Sequence, residues 1–150
     1  MIQQMKPALP ALELLLHSND EEVVKNACLA LCDISNGSED GIQSLIEADF
    51  VSKLVQFLKH PSPAVLLHAL RTIGTITAGN NQQTQGSECS SLNLSFSLVN
   101  WGALPILSNL LTRNYEKYIK KPACWVISNI TAGTVEQIQG EDCYAHLSSD

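Results

Sequence analysis

Trp125 and Asn129 are the pair of side chains with the clearest chemistry in this sequence of 150 residues. Their spacing of four places the indole and the carboxamide on one face of a helix. An indole face attracts a cation, and a carboxamide both donates and accepts hydrogen bonds, so the pair suits a cationic peptide. The spacing alone equally allows a structural interpretation, in which the Trp packs against a neighbouring helix and the Asn caps locally.

The remaining reactive side chains do not form a catalytic or metal-binding set. Cys28 and Cys32 are one helical turn apart, but His17 and His60 are not at ligand spacing from them, so two buried thiols are expected rather than zinc. Cys124 lacks a His and an orienting amide at suitable spacing, which argues against a nucleophilic cysteine. We therefore predict no enzymatic activity, no cofactor and no metal.

Composition and charge narrow the classes of partner. Nine Lys and Arg stand against fifteen Asp and Glu, for a net charge of −6. The cations do not cluster into a phosphate-tracking surface, which argues against nucleic acid and favours a basic peptide. The longest apolar runs are far shorter than the ~20 residues that span a bilayer, so no membrane insertion is expected.

The amino-terminal residues and the cysteines bear on the compartment. Pro10 and Glu13 interrupt the first apolar stretch, so it is not expected to be a secretory signal. The number of cysteines is five, which is odd, and three of them (Cys28, Cys32 and Cys124) lie in apolar, helix-like segments typical of buried thiols. A reducing compartment follows from this cysteine usage.

An internal repeat predicts the elements that must position the indole and the carboxamide. Residues 9–37 match residues 51–79 without a gap at an offset of 42, and residues 104–133 form a third copy with one extra residue near position 118. Each copy contains a short apolar helix and a longer one, joined by the polar or Pro-rich residues 17–20, 60–63 and 113–115. A smaller helix over 40–49 separates the first two copies.

The longer helix of each copy carries an apolar stripe with steps of three and four residues, which predicts a core face. The stripes are Val24, Ala27, Leu31 and Ile34; Leu66, Ala69, Ile73 and Ile76; and Ala123, Ile127 and Ile130, with Ile119 displaced by the extra residue. Each copy ends on a glycine, Gly37, Gly79 or Gly133, which suits a left-handed helix cap.

Three helices in a unit of about 40–47 residues are typical of armadillo repeats. The predicted fold class is therefore all-α, a right-handed superhelical armadillo-repeat solenoid of about three repeats, one of them disrupted by an insertion. Stacked repeats bury a shared core and leave a long concave surface, and such folds bind extended partners.

The predicted repeats cover about 8–37, 38–79 and 80–133, followed by the start of another unit at 134–139 and a non-repeat tail at 140–150. An insertion at 86–96 interrupts the third unit and is expected to replace its first helix, although a tolerated surface loop is the alternative. Pro122 falls inside the third long helix, where it costs ~3 kcal/mol unless the helix kinks.

Three strings carry a family resemblance: ALPALELLLHSNDEEVV, KLVQFLKHPSPAVLLHALRTIGTITAGNNQQTQ and WGALPILSNLL with KKPACWVISNITAGTVEQIQ. They resemble the central armadillo repeats of importin-α, the adaptor that carries nuclear-localisation-signal cargo to importin-β. The resemblance covers residues 8–139 apart from the insertion. It implies a cytoplasmic and nuclear protein that binds basic cargo in the importin-β pathway, although the importin-β-binding segment is not among the residues that match.

The resemblance also implies the site residues. In that family the third helix of each repeat presents a Trp and, one turn later, an Asn to the groove, where indoles hold Lys or Arg stems and carboxamides hold the peptide backbone. The best-preserved part corresponds to the minor cargo site, and the residues implied there are Trp125, Ser128, Asn129, Arg71, Thr75, Ala78 and Gly79. Gly79 is expected at a helix carboxyl end, where free carbonyls accept a Lys ammonium.

The first two copies depart from the Trp and Asn pattern. Leu29 and Asp33 occupy the two positions in the first copy, and Arg71 and Thr75 occupy them in the second. Asp33 still faces the groove and can meet a cation, whereas Leu29 removes an indole. Two functions remain open: a receptor for basic nuclear-localisation signals, or an armadillo scaffold without effective cargo binding.

Overall fold

The computed structural model describes residues 2–84 and 94–148, with side chains for 4–79, 94–95 and 97–133, and every element in this part of the chain is helical. The first repeat contributes α1 (Ile2–Met5), α2 (Ala8–Leu16) and α3 (Glu21–Gly37). The second contributes α4 (Glu39–Glu47), α5 (Phe50–Phe57) and α6 (Pro63–Thr84), and the third α7 (Leu94–Asn100), α8 (Ala103–Thr112) and α9 (Lys117–Ser148). The prediction of an all-α chain with three helices in each repeat is confirmed for the described residues.

The long helices α3, α6 and α9 pack one beside the next and carry the core. The apolar stripes predicted on them are buried, including Ile119, and Ile127 is the exception because it is half-buried. The shorter helices pack against the long ones and add residues such as Phe50, Leu54 and Leu107 to the core, all of which are almost inaccessible to solvent. Burying these apolar side chains is the main stabilising contribution to such a stack.

Side chains at the helix starts satisfy backbone donors that have no intrahelical partner. Asp20 precedes α3 and accepts a hydrogen bond from the backbone N–H of Glu22 at 2.9 Å. Ser38 precedes α4 and accepts one from the backbone N–H of Gly41 at 3.1 Å. These caps, with acidic residues in the first turns of both helices, fix where α3 and α4 begin.

The prediction that three glycines form left-handed helix caps is wrong. Gly37 is the last residue of α3, but among the described residues only Asp49 and Gly102 have a positive φ. α6 continues past Gly79 and α9 continues past Gly133. At Gly79 the reason is packing, since a Cβ there would overlap Cδ1 of Ile42, and glycine lets α4 approach α6 closely.

The third repeat keeps its first helix, which corrects the expectation that the insertion replaces it. Leu94–Asn100 forms α7, and Leu94 and Leu98 are buried in the core. The apolar residues at the end of the insertion thus supply the missing turn, while residues 85–93 lie outside the described part of the chain. α9 runs through Pro122 and through residues 134–148, so no change of structure marks the predicted boundary at 140.

No helix among the described residues is long and apolar enough to cross a membrane.

Candidate peptide-binding groove

Side chains outside the core stripes of α3, α6 and α9 form one face, which we call the groove face. Its exposed or half-buried members include Leu29, Asp33 and Asn36 on α3, Arg71 and Thr75 on α6, and Trp125, Ser128 and Asn129 on α9. Two seams divide this face: the α3–α6 seam between the first two long helices, and the α6–α9 seam between the last two. The predicted site residues fall on both seams.

Trp125 lies against the backbone of α6 at Gly74. A Cβ on Gly74 would lie 2.5 Å from Cε3 of Trp125 and would overlap the six-membered ring more closely still. Only a residue without a side chain lets the indole approach α6 in this way. The rest of the Trp125 side chain remains available, since the residue is 43% exposed. The indole is therefore held on one side by the protein and open on the other.

Asn129 is tied to the same segment of α6. Its Nδ2 donates to the carbonyl oxygen of Gly74 at 3.1 Å and lies 3.4 Å from Oγ1 of Thr77. The Thr77 hydroxyl in turn donates within α6, to the carbonyl of Ile73 at 2.8 Å or that of Gly74 at 2.9 Å. The α6 segment from Gly74 to Thr77 thus positions both members of the predicted pair. Gly74 and Thr77 were not predicted as site residues from the sequence.

The α3–α6 seam is built differently. Thr75 Oγ1 donates to the carbonyl of Arg71 at 3.0 Å and lies 3.3 Å from Oδ1 of Asn36. Asn36 Nδ2 reaches Sγ of Cys32 at 3.6 Å, so a short polar chain crosses this seam. Arg71 and Asp33 are exposed, and neither belongs to an ion pair within the described part of the chain. This seam offers charges of both signs and no indole.

His68 lies on α6 beside this seam and was not predicted as a groove residue. Its Nδ1 is buried and has no hydrogen-bond partner in the described structure. Burial lowers the pKa of His68, the positive charges of Arg71 and Lys25 lower it further, and Asp33 opposes them. A neutral imidazole is therefore favoured at this seam.

The other implied residues have mixed outcomes. Ser128 is exposed on α9 and Ala78 is half-buried on α6, so both border the α6–α9 seam. Gly79 is not at a helix end, because α6 continues to Thr84, and its predicted role in offering a free terminal carbonyl to a Lys is wrong. Its position against Ile42 makes it a packing residue instead.

The cysteines do not form a site. Cys28 and Cys32 are buried as predicted, and burial raises the pKa of the Cys28 thiol to about 12. Cys124 is exposed, which corrects the prediction of a third buried thiol. The equivalent residues Cys28 and Leu70 are buried in α3 and α6, whereas no further repeat packs against α9 in the part of the chain described. Among the described residues, no group of three or more His, Cys, Asp or Glu could hold a metal ion.

Comparison with known families and sequences agrees with this architecture. The Armadillo/beta-catenin-like repeat family matches residues 38–78 and 98–132. Importin subunit alpha-8 of Arabidopsis thaliana is 68% identical over 126 residues, which is 84% of this chain and 26% of that protein. Importin subunit alpha-1a of Oryza sativa subsp. japonica is 53% identical over 137 residues, covering 91% and 24%. These matches confirm the resemblance to importin-α, and the chain spans about a quarter of the length of these relatives.

Solved armadillo structures are similar in both fold and sequence. A designed armadillo repeat protein in complex with peptide (KR)4 superposes with a TM-score of 0.72 at 38% identity, covering 93% of this chain and 54% of that one. A computationally designed armadillo repeat protein for modular peptide recognition gives a TM-score of 0.71 at 41% identity, with coverage of 92% and 54%.

Proposed function

The chain belongs to the armadillo-repeat family and is homologous to the importin alpha subunits, and from this we propose that its α6–α9 seam is a receptor for basic nuclear-localisation-signal peptides. The observation that carries the proposal is the placement of Trp125, which rests on the bare backbone of Gly74 and keeps its outer side open. A long side chain of a ligand can lie along the open side of this indole.

The chemistry of the seam suits Lys or Arg. Their aliphatic stems pack on an indole face and their charges are attracted to it, with a contribution of roughly 0.5–2 kcal/mol for each contact. The hydrogen bond from Asn129 to α6 fixes the position of its carboxamide in the groove, where the carboxamide can form hydrogen bonds to an extended peptide backbone. Ser128 and Ala78 border the indole, and Arg71, Thr75 and Asp33 continue the proposed site toward α3.

The whole chain and its neighbours support a basic ligand. The net charge of −6 attracts cationic peptides and speeds their association. One structural neighbour was solved with a peptide of alternating Lys and Arg, and its fold aligns with nearly the whole of this chain. In this proposal the protein acts as a nuclear import adaptor, moves between cytoplasm and nucleus, and works with importin-β, as the resemblance to importin-α implies.

The proposal is tested by titrating a fluorescent Lys/Arg-rich signal peptide into the purified chain at low and moderate salt. A peptide of the same composition in scrambled order runs beside it. We expect saturable binding that prefers the true signal and weakens as salt rises, because exposed charges are screened. The double variant Trp125→Ala, Asn129→Ala should bind at least tenfold more weakly.

Trp101→Ala provides a matched control. Trp101 is 40% exposed, almost as much as Trp125, but it lies in the turn between α7 and α8. Its replacement should leave peptide affinity unchanged. Equal binding of both peptides, or equal loss in both Trp variants, would refute the receptor and favour the second function, an armadillo scaffold without effective cargo binding. The altered α3–α6 seam, where α6 carries Arg71 and Thr75 at the positions that Trp125 and Asn129 hold on α9, is the feature that favours that scaffold.

A further inference from the structure

Charge is divided unevenly between the first repeat and the α6–α9 seam. Residues 4–49 contain nine acidic residues and two cations, Lys6 and Lys25. From residue 50 to residue 133, the described side chains include seven Lys and Arg residues, with Glu116 as the single acid. α6 itself contains Arg71 and no Asp or Glu. The part of the α6–α9 seam whose side chains are described is therefore cationic, although the chain as a whole is acidic.

One of these cations shares a helix face with the indole of the proposed site. Lys121 lies one helical turn before Trp125 on α9, and both residues are exposed. A spacing of four residues brings two side chains to within about 40° of each other around a helix, so they are neighbours on its surface. Lys121 belongs to no ion pair among the described residues. The indole thus has an uncompensated ammonium group about one turn away.

The first repeat neutralises the equivalent lysine within its own helix. The starts of α3 and α9 are related by an offset of 96, which also relates Lys25 to Lys121. Lys25 Nζ lies 2.6 Å from Oε1 of Glu22, in an ion pair of residues three apart. The same offset places Tyr118 at the position of Glu22, and Tyr118 has no carboxylate to offer. The third repeat therefore keeps the lysine and lacks its partner.

The accessibility of this position does not depend on α9 being the last long helix that the structure describes. α6 packs beside α3, yet the Lys25 side chain remains 31% exposed. A repeat packed in the same way beside α9 would leave the ammonium group of Lys121 accessible as well. A ligand lying on Trp125 can therefore reach it.

We propose that the ligand of the α6–α9 seam carries a Glu or Asp near the Lys or Arg that lies on Trp125, and that Lys121 binds this carboxylate. The inference rests on the receptor function proposed above. A cation at this position attracts a carboxylate and repels a second Lys or Arg. The seam thus selects a basic residue with an acidic neighbour rather than a continuous run of cations.

The distance between the two contacts sets the spacing in the ligand. Four residues of a helix rise about 6 Å, and two residues of an extended peptide cover a similar length. We therefore place the acidic residue within two positions of the Lys or Arg on Trp125.

The proposal is tested by substituting each position of a Lys/Arg-rich signal peptide in turn with Glu and with Gln, and measuring each affinity by fluorescence anisotropy. Because the chain has a net charge of −6, Glu should bind more weakly than Gln at most positions. At one position, or at two that lie close together, we expect Glu to bind about threefold more tightly than Gln, which is the size typical of an exposed ion pair.

Lys121→Gln and its matched control Lys120→Gln assign this effect to a residue. Both substitutions remove one positive charge from α9, but Lys120 lies roughly 140° around the helix from Trp125. Lys121→Gln should abolish the preference for Glu, and Lys120→Gln should retain it. Both variants should keep the helical circular dichroism of the parent, because neither lysine is buried.

Two kinds of outcome separate this inference from the function on which it rests. If the parent peptide binds but Gln equals or exceeds Glu at every position, the acidic neighbour is refuted and the receptor stands. A preference for Glu that persists in Lys121→Gln, or that both variants lose equally, would likewise overturn the role of Lys121. Failure of the parent peptide to bind would refute the receptor and this inference together.

Discussion

The α3–α6 and α6–α9 seams share their core but differ on the groove face. With the offset of 42, Cys32 of α3 corresponds to Gly74 of α6, and Arg71 corresponds to Trp125 in the third copy. The polar acceptors are the same in both seams, because Ser35 Oγ donates to the carbonyl of Cys32 at 2.7 Å just as Thr77 does to that of Gly74. The seams therefore differ in whether the preceding helix leaves room for an indole.

This difference shows that the placement of a groove side chain depends on its own helix and on the preceding one. Trp125 belongs to α9, but Gly74 on α6 decides whether its ring can approach the α6 backbone. Asn129 likewise finds its acceptors on α6. At the other seam the same kind of acceptors exist, but α6 presents Thr75, whose shorter side chain donates to the carbonyl of Arg71 in its own helix and lies 3.3 Å from Oδ1 of Asn36.

Gly74→Ala should have the largest effect, because it removes the space that the α6–α9 seam depends on. The new methyl group would overlap the Trp125 ring, and overpacking of this kind typically costs about 1–3 kcal/mol. We expect a lower urea midpoint of unfolding and weaker binding of a basic peptide, since the indole must leave its position. An unchanged midpoint would show that the position of Trp125 does not depend on a glycine at position 74.

Gly37→Ala is the matched control for this substitution. Gly37 also lies in a long helix, has no positive φ, and has open space at its Cβ position. Alanine there should change the free energy of unfolding by less than about 1 kcal/mol, in the stabilising direction, because it restricts the unfolded chain. Equal destabilisation by both alanines would remove the distinction between the two sites.

Arg71→Trp should place an indole against α3, as Trp125 lies against α6, only when Cys32→Gly accompanies it. We expect the single Arg71→Trp variant to be destabilised, because Cys32 lies where Gly74 leaves space in the other seam. The two substitutions together should show a favourable coupling of about 1–2 kcal/mol in a double-mutant cycle of urea unfolding. Strict additivity of the two changes would mean that a Trp in the groove does not need a glycine on the preceding helix.

Thr75→Asn tests the position in the α3–α6 seam that corresponds to Asn129 in the α6–α9 seam. An Asn at this position can reach the carbonyl of Cys32 and the Ser35 hydroxyl as Asn129 reaches Gly74 and Thr77. The added hydrogen bond should stabilise the fold by about 1 kcal/mol, measured as a rise in the urea midpoint. A loss of stability would show that the polar contacts of Thr75 and Asn36 stabilise the fold more than a hydrogen bond to the acceptors on α3 does.

His68 should make the α3–α6 seam weakly pH-dependent. Its pKa in the folded protein is below the ordinary value of 6.5, so the unfolded chain binds the proton first as pH falls. The stability contributed by neutral His68 is present above that value and decreases below it. His68→Gln should therefore lose less thermal stability than the parent between about pH 7.5 and about pH 5.5. An identical decrease in both proteins would exclude this role.

Periodicity sufficed to predict the long helices and the core. The stripes through Leu31 and Ile73 follow directly from apolar spacing, because a helix must bury one face. The Trp125 and Asn129 pair was also predictable from spacing, together with the family resemblance. The helix ends were not, because glycine has two uses: Gly79 permits close packing against Ile42, which sequence alone does not distinguish from a cap.

The contacts between helices were the part that the sequence could not supply. Gly74 is one glycine among eight, and nothing local marks it as the residue beneath Trp125. The offset of 42 places Cys32 and Gly74 at equivalent positions. The difference between a cysteine and a glycine there is the signal that was available in the sequence. The helix formed by Leu94–Asn100 was missed because Ser-rich residues precede it and weaken the apolar pattern.

The most direct test of the account uses the two indole N–H signals of the protein in an NMR titration with a Lys/Arg-rich signal peptide. Trp125 and Trp101 are the only tryptophans, and they have similar exposure. We predict a saturable shift of the Trp125 indole signal with the Trp101 signal unchanged, accompanied by shifts of the Asn129 carboxamide. A shift of Trp101 alone, equal shifts of both, or no shift at saturating peptide would contradict the assignment of the ligand to the α6–α9 seam.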